Sequence, residues 1–245
     1  MGLERIELSQ AEGGMVQHVT VPGGAWDRRT ALELIEVAAS LAEDRSVRVI
    51  TLRARSAPFC SGTAADLDPL SLDPDPPALW ARLRPPVVAI IDGSCLSIGL
   101  EQMLTADVRI CGPDAEFGFP ELGRGRLPCW GGTQRLSRAI RPSEATAMLL
   151  LGHSLGAERA VSLGLVHACS PDIGVAAAEV VGALVERGPL ALELAKEAVH
   201  RGAELPLRDG LRLEGDLNHQ LAATEDRAEG LTAFFDKRPP DFSGR

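Results

Sequence analysis

The chain has 245 residues, 45% of them hydrophobic and 24% charged, with a formal charge of −9 and a sequence pI near 5.1. That length suits one large domain, or a domain with a small appendage, and the acidic balance argues against nucleic acid as a main partner, because phosphate binding needs a basic surface. No stretch has the apolar length of a membrane span, and the N-terminal MGLERIELSQ carries early glutamates without an apolar signal core. The five cysteines (Cys60, Cys95, Cys111, Cys129, Cys169) are odd in number and form no C-x-x-C pair, which predicts reduced thiols in a cytoplasmic protein.

In chain order, residues 3–8 and 15–21 alternate apolar and polar side chains around Gly13-Gly14, a hairpin signal. From Thr30 the period becomes helical, with Leu34, Ile35, Ala38 and Leu41 on one face. Residues 47–52 read as a buried strand, and 57–67 as a turn-rich segment around Gly62. The stretch 68–77 (DPLSLDPDPP) holds four prolines, which predicts a mobile surface loop and excludes a helix. A short helical turn is expected at 79–83.

The segment 85–136 carries the chemistry. A strand at 87–91 enters the turn Asp92-Gly93, and Ser97-Ile98-Gly99 opens a short helix bearing Glu101. A strand at 108–111 leads to the loop Phe119-Pro120-Glu121, and Gly131-Gly132-Thr133 opens another helix. Two carboxylates therefore lie beside turns at strand ends. Such turns can aim backbone N–H groups at an anionic oxygen, and paired carboxylates supply a base and an acid. Beyond this, helices are expected at 143–151 with Ser143 as cap, at 157–163, 175–186, 190–201, 207–222 and 228–235, with a strand at 165–168. The trailing helices suit either oligomerisation or core packing. The strand-turn-strand-helix alternation suggests stacked right-handed ββα units, and a doubly wound sheet fits nearly as well.

Several ordered motifs now combine: F-C-S-G at 59–62, P-V-V-A-I-I-D-G at 86–93, a Gly turn before Glu101, A-D-V-R-I at 106–110, F-G-F-P-E-L-G at 117–123, L-P-x-x-G-G-T-Q-R-L at 127–136, E-R-A-V-S-L-G-L-V at 158–166 and T-E-D-R-A-E-G-L-T-A-F-F-D-K-R-P-P at 224–240. Together they resemble the enoyl-CoA hydratase/isomerase, or crotonase, family. The resemblance implies an α/β spiral of ββα units over residues 1–171 and a helical C-terminal oligomerisation region over 172–245, assembled as a homotrimer or a dimer of trimers. It implies an acyl-CoA thioester substrate, with coenzyme A present only as part of that substrate, no metal or other cofactor, and no nucleic-acid or membrane partner. The expected reaction is hydration of a trans-2-enoyl-CoA to a 3-hydroxyacyl-CoA, with fatty-acid oxidation one of the open pathways.

By the same resemblance Glu101 activates the water and Glu121 handles the α proton, while backbone N–H groups at Thr63 and Ile98 form the oxyanion hole. Ser61, Gly62, Ala64, Asp66, Gly99, Pro120, Leu122 and Trp130 are expected around the substrate. Family isomerases commonly keep only the carboxylate matching Glu121, so the presence of Glu101 tips the reading toward hydration. The chain also departs from the pattern. Ser97-Ile98-Gly99 replaces three glycines, so Ile98 must avoid positive φ. Three residues rather than one separate Gly62 from Asp66, which leaves the first donor open between Thr63 and Ala64. The 66–85 segment is short and proline-rich, an early P-x-x-x-N segment is missing near 21–26, and Cys129-Trp130 replaces two small residues. Trp130 would shrink the acyl pocket, stack on substrate, or simply pack. These departures keep isomerisation, thioester hydrolysis, decarboxylation and a non-catalytic acyl-CoA-binding or assembly role as alternatives. The histidines (His18, His153, His167, His200, His219) are scattered without H-x-x-x-H spacing and give no metal signal.

Overall fold

In the computed structural model, which describes residues 2–245, each early unit of the chain places its first strand in one sheet and its second strand in another. The elements are β1 (Glu7–Ala11), β2 (Val16–Val21), β3 (Ala25–Trp26), α1 (Arg28–Glu43), β4 (Val49–Ala54), β5 (Gly62–Thr63), α2 (Pro76–Trp80), β6 (Val87–Ile91), β7 (Ser94–Leu96), α3 (Ile98–Met103), β8 (Val108–Cys111), β9 (Glu116–Gly118), α4 (Gly132–Ala139), α5 (Pro142–Leu151), β10 (Leu155–Gly156), α6 (Ala157–Ser162), β11 (Ala168–Cys169), α7 (Ile173–Val185), α8 (Pro189–Gly202), α9 (Leu207–Ala222) and α10 (Glu225–Asp236). The six-stranded sheet runs β1-β2-β4-β6-β8-β11. Its first pair is the expected antiparallel hairpin and the remaining pairs are parallel. The second strands form β3-β5 and β10-β9-β7, and an isolated parallel bridge between Cys60 and Cys95 ties these short sheets together. This is the ββα repetition that the sequence pattern suggests.

Each local choice has a visible cause. Asp27 caps α1 by accepting the Thr30 amide at 2.8 Å, and the helix buries Leu34, Val37, Ala38 and Leu41 in the main core. Trp80 closes α2 onto α1 by donating its indole N–H to the Leu34 carbonyl at 2.9 Å. Glu33, fully buried on α1, accepts the amides of Glu4, Arg5 and Ile6 and pairs with Arg29, so its charge is satisfied. On the opposite face of the large sheet, Val16, Val49 and Val88 are covered by Val180, Val181, Leu184 and Val185 of α7. Asp107 anchors α8, accepting from the Val87 amide and pairing with Lys196 at 2.7 Å and His200 at 2.8 Å. No helix among the described residues is long and apolar enough to cross a membrane.

Two local expectations are corrected. The proline-rich stretch does contain helix: a 3-10 turn spans Pro69–Ser71 and α2 begins at Pro76. Proline at the first helical positions loses an N–H that has no intrahelical partner anyway, so it starts helices that it would break further in. The 79–83 turn is accordingly the end of α2 and the residues just after it. Ser143 does not cap α5, because the helix begins one residue earlier at Pro142, with Arg141 in the cap position.

Candidate active site

Two turns meet between the short sheets and α3. Gly62 takes a φ of 130°, open to glycine and strained for other residues. In the facing turn it is Ser97 that carries positive φ, at φ 59° and ψ −133°, while Ile98 is the first residue of α3 with its side chain 2% exposed. The constraint on Ile98 is thus met by shifting the strain one residue upstream. The Ser97 amide donates to the Gly118 carbonyl at 3.0 Å, and the Thr63 and Ser97 hydroxyl oxygens lie 3.4 Å apart, which brings the turns together. Of the two donors left open by the sequence, the Ala64 amide is engaged with the Trp26 carbonyl at 2.9 Å. The Ile98 amide lies in the first turn of α3, where no preceding helical carbonyl can accept it. Gly99 sits directly on Cys60, and a Cβ there would fall 2.2 Å from the Cys60 Cβ.

Glu101 projects from α3 with no exposed surface. Its Oε1 accepts the amides of Trp130 at 2.7 Å and Gly132 at 2.8 Å, and its Oε2 is buried without a partner. Glu121, half-buried in the 3-10 turn Pro120–Arg124, likewise has a buried Oε2 without a partner. Burial pushes the Glu101 carboxyl up to about 7 against the two amide bonds, and the charge of Glu121 pushes the same way. Each glutamate thus carries one buried carboxylate oxygen without a partner, and the two groups are near enough for the charge of Glu121 to act on Glu101. Such a pair can take a proton from one atom and deliver a proton to another.

The sequence model for enoyl-CoA hydratase/isomerase matches residues 22–245. The chain belongs to that family. A 2,3-dehydroadipyl-CoA hydratase of Escherichia coli is 38% identical over 226 residues, covering 87% of this chain and 88% of that protein. The human enoyl-CoA hydratase domain-containing protein 2 is 36% identical over 87% of this chain and 79% of its own length. Among solved structures, an enoyl-CoA hydratase from Bacillus anthracis superposes with a TM-score of 0.90 at 28% identity, covering 99% of this chain and 100% of that one. One from Geobacillus kaustophilus gives 0.87 at 32% identity over 99% of both chains. The architecture is the crotonase fold, a parallel sheet with helices trailing at the C-terminus.

Within this enoyl-CoA hydratase/isomerase family member the other candidate residues are unevenly placed. Ser61 is exposed and donates its amide to the Gly24 carbonyl at 3.0 Å. Asp66 and Pro120 are exposed, and Leu122 is half-buried beside Glu121 in the chain. Trp130 is 1% exposed. Its indole N–H donates to the Pro69 carbonyl at 3.0 Å and its own carbonyl accepts from Arg135 at 2.5 Å, so the ring is held inside the protein. Cys129 is a site neighbour that the sequence marked only as a change of size. Its thiol is pushed up to about 11, first by burial and then by the charge of Glu101, with Arg126 opposing and Glu121 adding. Phe119, 1% exposed, is a second wall, since a Cβ added to Gly132 would lie 2.8 Å from its ring and 2.9 Å from Glu101 Cγ. In the sequence Phe119 stands only as part of the motif around Glu121, and nothing local marks it as a wall. Recesses lie elsewhere: about 580 Å³ between the large sheet and α7, lined by His18, Thr51 and Val181, and about 710 Å³ between β8, α4 and α8.

Proposed function

We propose that this protein adds water across the double bond of a trans-2-enoyl-CoA thioester to give the 3-hydroxyacyl-CoA. The observation that carries the reading is the pairing of Glu101 and Glu121, each with a buried oxygen that nothing in the protein occupies. The hydratase names of the curated relatives support the same class of chemistry.

In the proposed step the one proton held by the pair sits on Glu121, and ionised Glu101 takes a proton from water as the water oxygen bonds to C3. The π electrons move to the thioester oxygen, which becomes enolate-like and is held by the Thr63 and Ile98 amides. The enolate then returns its electron pair to C2, which takes a proton from Glu121. The product gains O–H at C3 and hydrogen at C2, and the carboxylates exchange a proton to reset. One such amide contributes roughly 3 kcal/mol at the transition state. Trp130 and Gly132 fix the other Glu101 oxygen, so the base keeps its direction. The apolar, outward-facing side chains Leu231, Phe234 and Phe235 on α10 are the proposed contact between copies of the chain.

A second reading, proton shuttling from C2 to C4 as in an isomerase, draws on the raised proton affinity of Glu101, which in its neutral form leaves Glu121 as the sole base. The test is crotonyl-CoA turnover with product analysis, comparing the parent with Glu121→Gln. A 3-hydroxybutanoyl product lost in the variant supports hydration. Equal rates overturn the mechanism, and a shifted double bond in a longer 3-enoyl substrate without hydration favours the second reading.

A further inference from the structure

Resting on the acyl-CoA reading above, we propose that Trp130 determines which acyl lengths enter, by latching the segment 68–77 over the end of the acyl site. Two contacts place it there. Its backbone amide grips Glu101 at 2.7 Å, so its side chain leaves the main chain directly beside the proposed base. Its indole N–H reaches across to the Pro69 carbonyl at 3.0 Å. An acyl group that sets C3 against Glu101 must send its next carbons past the groups around that carboxylate. Those are Trp130 and Phe119, each 1% exposed, and the tightly filled space at Gly132.

Apart from Pro76 and Pro77, buried in the first turn of α2, and Leu72, which packs against the main core, the segment that Trp130 holds has few other ties. Pro69 is buried, but Asp68, Leu70, Ser71, Asp73 and Pro74 are exposed, with Leu70 at 77%. The other side-chain bond from this stretch to the body of the protein runs from Arg28 to the Ser71 hydroxyl at 3.1 Å, in solvent. A short acyl group ends before the ring. A longer one must break the indole bond and lift the Pro69 turn. The small residues that the family pattern places at 129–130 have no such donor, so the restriction belongs to this chain.

The test compares the parent with Trp130→Phe, which keeps a ring and the backbone amide but loses the indole N–H. Amide hydrogen exchange over residues 68–77 is expected to quicken about fivefold, the worth of one net hydrogen bond. The affinity ratio of decanoyl-CoA to butanoyl-CoA, read by calorimetry on the saturated, unreactive thioesters, is expected to rise by a similar factor. Trp130→His, which retains a ring N–H, should restore part of the exchange protection. Unchanged exchange over 68–77, or an unchanged length ratio, overturns the latch. If neither thioester binds the parent, the acyl-CoA reading itself fails and the exchange result alone decides whether the tether exists. If Trp130→Phe does not fold, the parent decides: decanoyl-CoA should quicken exchange over 68–77 while butanoyl-CoA leaves it unchanged, and a common response to both overturns the proposal.

Discussion

Glu101 lies within electrostatic reach of Glu121, and burial first, then the charge of its neighbour, pushes its carboxyl up to about 7. The folded chain therefore holds a proton on Glu101 that the unfolded chain, with an ordinary value of 4.5, has released. Between those values the native state binds more protons, so this group's contribution to stability falls as pH rises through that window. By pH 8 the ionised carboxylate costs about 3 kcal/mol. Glu101→Gln keeps an oxygen for the Trp130 and Gly132 amides and removes the charge. Urea unfolding should show the variant more stable than the parent by about 1–3 kcal/mol at pH 8, with the gain gone at pH 5. A gain that does not vary with pH would contradict the assignment.

The same titration should govern rate. The step needs one ionised and one protonated carboxyl, and beside a charged Glu121 the pair loses its last proton through about 7, so kcat/KM should fall as pH rises through that value. Glu121→Gln should lower hydration by about 10²–10⁴. It should also move the Glu101 midpoint downward, because one of the two causes raising it is gone. A carboxyl-carbon NMR titration of the variant checks the second effect without any turnover.

Two glycines separate stability from chemistry. A Cβ at Gly99 would lie 2.2 Å from the Cys60 Cβ, an atom that no rotamer change can move away. Gly99→Ala should cost about 3 kcal/mol by denaturant unfolding, and Cys60→Gly should restore most of it. At Gly132 the added carbon meets the Phe119 ring at 2.8 Å and Glu101 Oε1 at 3.0 Å. Gly132→Ala should cost about 1–3 kcal/mol of stability and a larger share of activity, because the displaced group is the proposed base.

Asp107 should dominate the attachment of α8. Burial opposes its charge, but the bonds from His200 and Lys196 hold its carboxyl below the ordinary 3.8. That stability is complete above the unfolded value and disappears as pH falls through the lower folded one. Asp107→Asn should cost about 3 kcal/mol at neutral pH, because Lys196 is left with a buried, unpaired charge. Combining it with Lys196→Met should recover part of the loss in a thermal or urea melt.

The frame was legible wherever pattern and burial agree. Alternation over β1 and β2 predicted the hairpin, and the apolar face of α1 was read from its period before Leu34 was seen fully buried. The glutamates were found through the order of the surrounding motifs, since Glu101 alone is an ordinary early helix residue. What the chain did not disclose depends on distant partners. Nothing local tells that Ser97 would absorb the positive φ in place of Ile98, because the amide bond to Gly118 and the contact with Thr63 hold it there. The Ala64 amide could be set aside as a donor only once β3 was seen alongside β5. The prolines of 68–77 were misread because the rule against helical proline applies to interiors, whereas Pro76 and Pro77 stand at a start.

The lone bridge between Cys60 and Cys95 acts as a spacing gauge for the proposed anion cradle. Count three residues onward along each arm and the positions reached are Thr63 and Ile98. That rung of backbone, with the Thr63–Ser97 contact, thus sets the gap between two amides that come from turns remote in the chain. A bulkier side chain at Cys60 would press on Gly99 and so on α3, loosening the grip on an enolate oxygen and moving Glu101 together. Turnover would then fall in a molecule whose Glu101 titration had shifted as well.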